Sequence, residues 1–195
     1  GRGCSNFRAL TIISLRQMPF EPLMDIYLIA HKHTFRAMGS QIQLWLDGVD
    51  ADVAERLFAT VENYFAEMER TLSRFLPQSE LSRLNSRADQ WVPVSTLLWD
   101  VLTEALALAE LTDGTYDPAL LGALEAAGYV TSFESMVQVD RVTPPAGQAS
   151  GGHWSQVRLD PEKRAVWLPL EGRLDLGGMA KGYAAAEAVA TLSDW

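Results

Sequence analysis

Leu57, Phe58, Val61, Tyr64, Phe65, Met68 and Leu72 recur at three- and four-residue steps. That spacing lines one face of a helix over about 50–73. Glu55, Arg56, Glu62, Glu67, Glu69 and Arg70 take the opposite face. A long helix with one apolar stripe needs a second layer to cover it. A candidate layer precedes it. Ile42, Leu44 and Leu46 alternate with Gln41, Gln43 and Trp45 within 34–47, the period of a half-buried strand. Asp47-Gly48 supplies the turn between strand and helix. Met38-Gly39-Ser40 interrupts the strand run, as a bulge, a close backbone approach or a simple irregularity.

The rest of the chain follows the same grammar. Pro77 breaks the first helix, and Ser79 reads as the N-cap of a short turn ending near Asn85. Phe75 sits at the break, where it either stacks on a planar ligand or plugs the core. Residues 91–94 are extended. Ser95 caps a second amphipathic helix, with Leu98, Val101, Leu102, Ala105, Leu106 and Ala109 inward, running to about 111. Asp113-Gly114 turns the chain, and Asp117-Pro118 starts another helix over 119–127 that stops at Gly128. Tyr116 and Asp117 at this junction are candidate ligand contacts, although capping alone explains Asp117. Residues 131–153 read as a loop with one strand near 136–139. Val157 and Leu159, a turn at 160–164, and Val166, Leu168 and Leu170 read as a hairpin.

Residues 173–184, Arg-Leu-Asp-Leu-Gly-Gly-Met-Ala-Lys-Gly-Tyr-Ala, run from a strand end through Gly177-Gly178 into an alanine-rich helix over about 179–192. Paired glycines admit a ligand close to the backbone, and the helix N-terminus suits a phosphate. Asp175 could reach a sugar hydroxyl, a base edge or a metal, and Lys181 lies about one turn further on. The same residues also fit a plain strand-to-helix connection, since short glycine turns are weakly specific. No Walker loop and no G-x-G-x-x-G occurs, and repeated βαβ units are lacking. Both argue against a nicotinamide-dependent oxidoreductase. The expected fold is α+β, a mainly antiparallel sheet with long amphipathic helices packed against it.

Charge and cysteine content narrow the function classes. A net charge of −9 offers no basic stripe for nucleic acid. The single cysteine, Cys4, forbids an internal disulfide or a Cys-rich zinc site. His31-x-His33 supplies at most two metal ligands and reads as a strand end. No apolar run is long enough to span a bilayer. The apolar run from Leu10 to Leu15 is too brief for a typical signal-peptide core. Residues 1–30 therefore read as a leader or disordered extension, and 31–195 carry no linker.

Four stretches together resemble one family: Met38-Gly39-Ser40; Leu72-Ser73-Arg74-Phe75 with the following 79–85; Thr112-x-Gly114-x-x-Asp117-Pro118; and Asp175-Leu176-Gly177-Gly178-x-Ala180-Lys181-Gly182-Tyr183-Ala184. In that order they resemble the ApbE family, the FAD:protein FMN transferases, over roughly 34–193, with an ApbE/T-fold-like architecture. The resemblance implies FAD and Mg²⁺ as ligands. It implies transfer of FMN from FAD onto a Thr or Ser hydroxyl of a target flavoprotein with release of AMP, or hydrolysis of FAD to FMN and AMP. By similarity, Met38 lies against the flavin nucleotide and Phe75 beside FAD. Thr115, Tyr116 and Asp117 line the adenosine side, Asp175 and Lys181 contact FAD, and Gly178 lends a carbonyl to Mg²⁺.

The resemblance also implies a later region with a His-containing segment, a D-P-x-T-G-like turn and an Asp-x-x-x-Thr-like motif that completes the metal site. None of these stands in this sequence. Residues 31–195 therefore read as the N-terminal and central part of the family's domain. They are expected to recognise FAD yet to be inactive alone, with an exposed apolar face on the last helix. A non-catalytic flavin-binding domain is the alternative. The family is often exported or membrane-tethered, and the compartment stays open.

Overall fold

The computed structural model describes residues 8–14, 31–130 and 153–193. Cys4 and the strand expected near 136–139 lie outside the described residues. The chain divides into two compact units, residues 1–67 with 181–195 and residues 68–180.

The first unit holds a three-stranded antiparallel sheet, β1 (Arg8–Ser14), β2 (His31–Ala37) and β3 (Ser40–Asp47), in the order β1-β3-β2. β1 falls within the stretch read as a leader. Its backbone pairs with β3 from Arg8↔Asp47 to Ser14↔Gln41. The alternation in β3 holds: Ser40, Ile42, Leu44 and Leu46 are buried and their neighbours are not. The strand expected over 34–47 is instead a hairpin, with Ala37 opposite Ser40. Met38 and Gly39 form its two-residue turn at φ 52 and φ 66. Two left-handed residues in succession match the twist of the flanking strands, so this step is a turn and not a bulge.

The turn carries a methionine where glycine is the relaxed choice. Met38→Gly is expected to stabilise the fold by about 1 kcal/mol, from the left-handed penalty on a side chain less glycine's entropy cost. Urea unfolding measures this, and a destabilised variant would disprove it.

Helix α1 (Ala51–Leu72) buries Ala54, Leu57, Phe58, Val61, Phe65, Met68 and Leu72, the expected stripe apart from half-buried Tyr64. Phe65 meets Phe35 of β2 edge to face at 5.6 Å. The two strand-end histidines serve packing. His33 stacks on Phe58 at 5.1 Å and pairs its Nε2 with Glu62 at 2.9 Å, while His31 Nε2 bonds the Val49 carbonyl at 3.0 Å.

In the second unit, Ser79 caps α2 (Glu80–Asn85), accepting from the Ser82 N–H at 2.9 Å. Ser95 caps α3 (Thr96–Leu111). Glu80 ties the two caps together by accepting from the Ser95 N–H and hydroxyl at 2.6 and 2.5 Å. A second antiparallel sheet has the order β4 (Trp91–Pro93), β6 (Ala165–Trp167), β5 (Arg158–Asp160). The hairpin expected to run to Leu170 ends at Trp167. Pro169 has no N–H for the ladder, its carbonyl accepts from Gly172, and Leu170 is left 76% exposed.

Helix α4 (Leu121–Ala126) starts two residues later than expected. Leu120 bridges Arg173 in parallel, and the Pro118 carbonyl accepts from Asp175, so residues 118–120 form a turn and a single bridge ahead of the helix. Its end matches expectation: Gly128 takes φ 93, and the Tyr129 N–H reaches the Leu124 carbonyl at 2.9 Å.

The last helix, α5 (Ala180–Ser193), corrects one expectation. Its stripe of Ala180, Ala184, Ala188 and Leu192 is buried, and what it exposes is Gly182, Ala186, Glu187, Ala190 and Thr191. Small residues at four-residue spacing occupy the inward face, so no large apolar side chain is left outward. Among the described residues no helix is long and apolar enough to cross a membrane.

Candidate functional site

The second unit brings three of the sequence motifs together at residues 173–175, where the strand end expected from sequence is reduced to a single bridge at Arg173. Asn85, the last residue of α2, donates from Nδ2 to the Leu174 carbonyl at 2.9 Å and accepts at Oδ1 from the Leu174 N–H at 2.8 Å. On the other side, Asp175 N–H donates to the Pro118 carbonyl at 2.8 Å and Leu121 N–H to the Arg173 carbonyl at 3.0 Å. Residues 173–175 are thus pinned between the 72–85 segment and the 112–121 segment.

Asp175 stands at the centre. Its Oδ2 lies 2.8 Å from Arg74 Nε, with side chains only 16% and 10% exposed. Its Oδ1 accepts from the Gly177 N–H at 2.7 Å. This contact accounts for the first glycine, because a Cβ on Gly177 would stand 2.9 Å from that oxygen. The second glycine has a different neighbour: a Cβ on Gly178 would stand 3.3 Å from Tyr116 Cε2. Neither position has a left-handed φ, so the pair serves space and not turn geometry. The Arg74 guanidinium lies over the Phe75 ring at 4.1 Å, and that ring is 43% exposed.

Asp117 is buried and its Oδ1 accepts from the Ala119 N–H at 2.7 Å; the helix begins only at Leu121 with no side-chain cap, so Asp117 closes a local turn and does not cap the helix as its sequence position suggested. Thr115 is exposed. The Tyr116 N–H is held by Thr112 Oγ1 at 3.1 Å, while its hydroxyl is buried and finds no partner among the described residues. An unpaired buried hydroxyl is costly, and a ligand acceptor would relieve it. Met38 and Lys181 belong to the first unit. Met38 is half-buried at its hairpin tip, and Lys181 is half-buried on the first turn of α5 with contacts of its own.

Burial first, then the negative charges of Asp175 and Asp117, pushes the Tyr116 hydroxyl up to about 12. Burial also pushes Tyr64 well up, aided by Tyr183, Glu187 and Glu67. A phenol whose folded-state pKa is raised contributes stability that is complete below the unfolded pKa near 10 and is lost as pH rises through the folded one. The fold is therefore expected to weaken between about pH 10 and 12. Tyr116→Phe should flatten that decline, read as the urea midpoint against pH. An unchanged slope in the variant would exclude the tyrosine as its source.

The implied Mg²⁺ is not matched by these residues. Among the described residues no group of three or more His, Cys, Asp or Glu side chains could hold a metal ion. Asp175 is committed to Arg74 and Gly177, and a lone Gly178 carbonyl is a weak ligand for a hard dication.

Sequence reasoning missed Arg74 and Asn85. Both stood inside motif segments, but Asn85 read as a helix end. Its partner is 89 residues away, beyond any local pattern.

The described residues define an α+β chain with a carboxylate-centred, aromatic-flanked candidate site just before the last helix. A family model described as the ApbE family matches residues 38–195. The chain belongs to the ApbE family. The FAD:protein FMN transferase of Chlamydia trachomatis is 26% identical over 141 residues, covering 71% of this chain and 43% of that protein. The ApbE protein of Thermotoga maritima superposes with TM-score 0.68 at 22% identity, over 85% of this chain and 54% of that one. The Pseudomonas stutzeri flavinyl transferase ApbE gives TM-score 0.69 at 20% identity, over 85% and 53%. At these identities the structural likeness establishes the α+β fold. The chain spans about half the length of the relatives it matches.

Proposed function

We propose that this chain carries the FAD-recognition part of a Mg²⁺-dependent flavin transferase. In the whole reaction a Thr or Ser hydroxyl oxygen of a target flavoprotein attacks the FMN-side phosphorus of FAD. The pyrophosphate P–O bond breaks, AMP leaves, and the hydroxyl proton is released. Mg²⁺, when bound, would neutralise charge on the two phosphates. Because the described residues do not form its site, their part in the reaction is recognition.

The observation that carries this reading is the Asp175 junction, where three family motifs meet beside an exposed aromatic face and an unpartnered buried hydroxyl. Phe75 offers a ring for stacking, as a planar heterocycle requires. Tyr116 stays protonated at neutral pH and can donate to a ligand oxygen. Thr115 and Asp117 flank it on the same segment. Asp175, already holding Arg74 and Gly177 through one lone pair on each oxygen, can use a remaining lone pair to accept from a sugar hydroxyl or base amine. In the first unit, Met38 as a flavin contact and Lys181 as an FAD contact are proposed on the family resemblance alone.

The second reading is a non-catalytic FAD-binding domain. The lack of a metal-ligand group among the described residues favours it over a pyrophosphatase giving FMN and AMP. Calorimetric titration with FAD, with and without Mg²⁺, followed by an assay for AMP, separates these readings. FAD binding with Mg²⁺-dependent AMP release into a flavinylated acceptor supports the transferase. AMP with free FMN means hydrolysis, and binding without AMP means recognition alone. No FAD binding under any condition would overturn the proposal.

A further inference from the structure

Arg74 stands at the junction of the two features that make the candidate site, the Asp175 carboxylate and the Phe75 ring. Its side chain is 10% exposed. Through Nε it pairs with Asp175 Oδ2 at 2.8 Å, and its guanidinium carbon lies 4.1 Å from the Phe75 ring centre. Asp175 Oδ1 is taken by the Gly177 N–H, so the arginine governs the second oxygen. The Phe75 ring is 43% exposed, too open for burial alone to fix its plane. The backbone beneath it is set by the Phe75 N–H donating to Ser73 Oγ at 3.3 Å.

A guanidinium is planar: its edge matches a carboxylate and its face matches an aromatic ring. Lysine carries the same charge but has neither an edge nor a face. The residue type at this position is therefore informative beyond its charge.

We infer that Arg74 is a positioning residue of the FAD site, its guanidinium fixing the Asp175 carboxylate and the Phe75 ring relative to one another and so setting the affinity for FAD. This rests on the FAD-binding reading proposed above. Arg74 works through its two neighbours and need not touch the ligand itself.

The test is FAD titration of the full chain as wild type, Arg74→Lys, Arg74→Ala, Asp175→Asn and the Arg74→Ala/Asp175→Asn pair. Glu125→Gln serves as the control. It disrupts the Arg173–Glu125 pair in the same unit, whose side chains are 41% and 33% exposed, without touching Arg74, Phe75 or Asp175. Arg74→Lys is expected to weaken FAD binding about tenfold, while Glu125→Gln stays within about twofold. In the Asp175→Asn background, Arg74→Ala should cost much less than it does alone, because residues acting as one unit are not additive. Should Arg74→Ala fail to fold, Arg74→Lys decides alone.

Three results would overturn the inference while leaving FAD binding intact. Arg74→Lys could bind like wild type. Glu125→Gln could lose as much as Arg74→Lys, which would mean general loosening. The Arg74→Ala and Asp175→Asn losses could simply multiply. A wild-type chain that binds no FAD would remove the underlying reading, and this inference with it.

Discussion

Asn85→Ala is expected to cost the fold about 2–4 kcal/mol, because it strands two backbone groups at once. Asn85 satisfies both the N–H and the C=O of Leu174, at 2.8 and 2.9 Å, and Leu174 has no exposed surface. Each buried group left unpaired costs about 1–3 kcal/mol, and water admitted by the smaller side chain recovers part of that. Asn85→Asp should not rescue the fold, since the carboxylate keeps the acceptor for the Leu174 N–H but sets a charged oxygen against the Leu174 carbonyl. The measurement is the urea midpoint at unchanged slope, so that the change reports stability and not compactness. A loss below about 1 kcal/mol would mean that Leu174 finds other partners and that this segment is not held by Asn85. The functional consequence follows from position. Leu174 immediately precedes Asp175, so a segment released at Leu174 also releases the carboxylate. FAD affinity is expected to fall together with stability.

Local pattern carried the parts of this fold that local physics decides. The α1 stripe, the alternation of β3 and the caps at Ser79 and Ser95 follow from spacing and hydrogen-bonding chemistry between near neighbours, and each stands where the sequence placed it. Departures occur where a distant partner sets the backbone. Residues 118–120 looked like the first turn of a helix, but their bonds to 173–175 hold them as a turn and a single bridge instead. Residues 168–170 looked like strand, but no ladder continues past Trp167. Met38-Gly39 was ambiguous because a turn and a bulge share the same small, flexible signature; only the pairing of Ala37 with Ser40 resolves it. The site shows the same division. Asp175 as the residue before the turn was legible, whereas Asp117, which looked like a helix cap, closes a turn ahead of a helix that starts later. The Arg74–Asp175 pair joins residues from two motifs far apart in the chain, and no periodicity announces it.

Asp175→Ala is expected to be the most damaging single change in the second unit, at about 3–5 kcal/mol, because it leaves a guanidinium buried without its counter-charge. The arginine side chain is only 10% exposed, so water cannot replace the lost carboxylate without rearrangement. The same substitution also frees the Gly177 N–H that Oδ1 now accepts from. This cost confounds any simple reading of the variant's function, because a chain that unfolds binds nothing. The remedy comes from the asymmetry of buried ion pairs. Breaking one is expensive, whereas replacing both partners with well-packed apolar side chains is often neutral or stabilising. Arg74→Met combined with Asp175→Leu should therefore recover most of the stability lost by Asp175→Ala, measured by thermal or urea unfolding. If Asp175 is an FAD contact, the double variant should still fail to bind FAD. A stable double variant with wild-type FAD affinity would show that the pair is purely structural. A double variant as unstable as Asp175→Ala would locate the damage in the lost Gly177 contact and not in the bare charge.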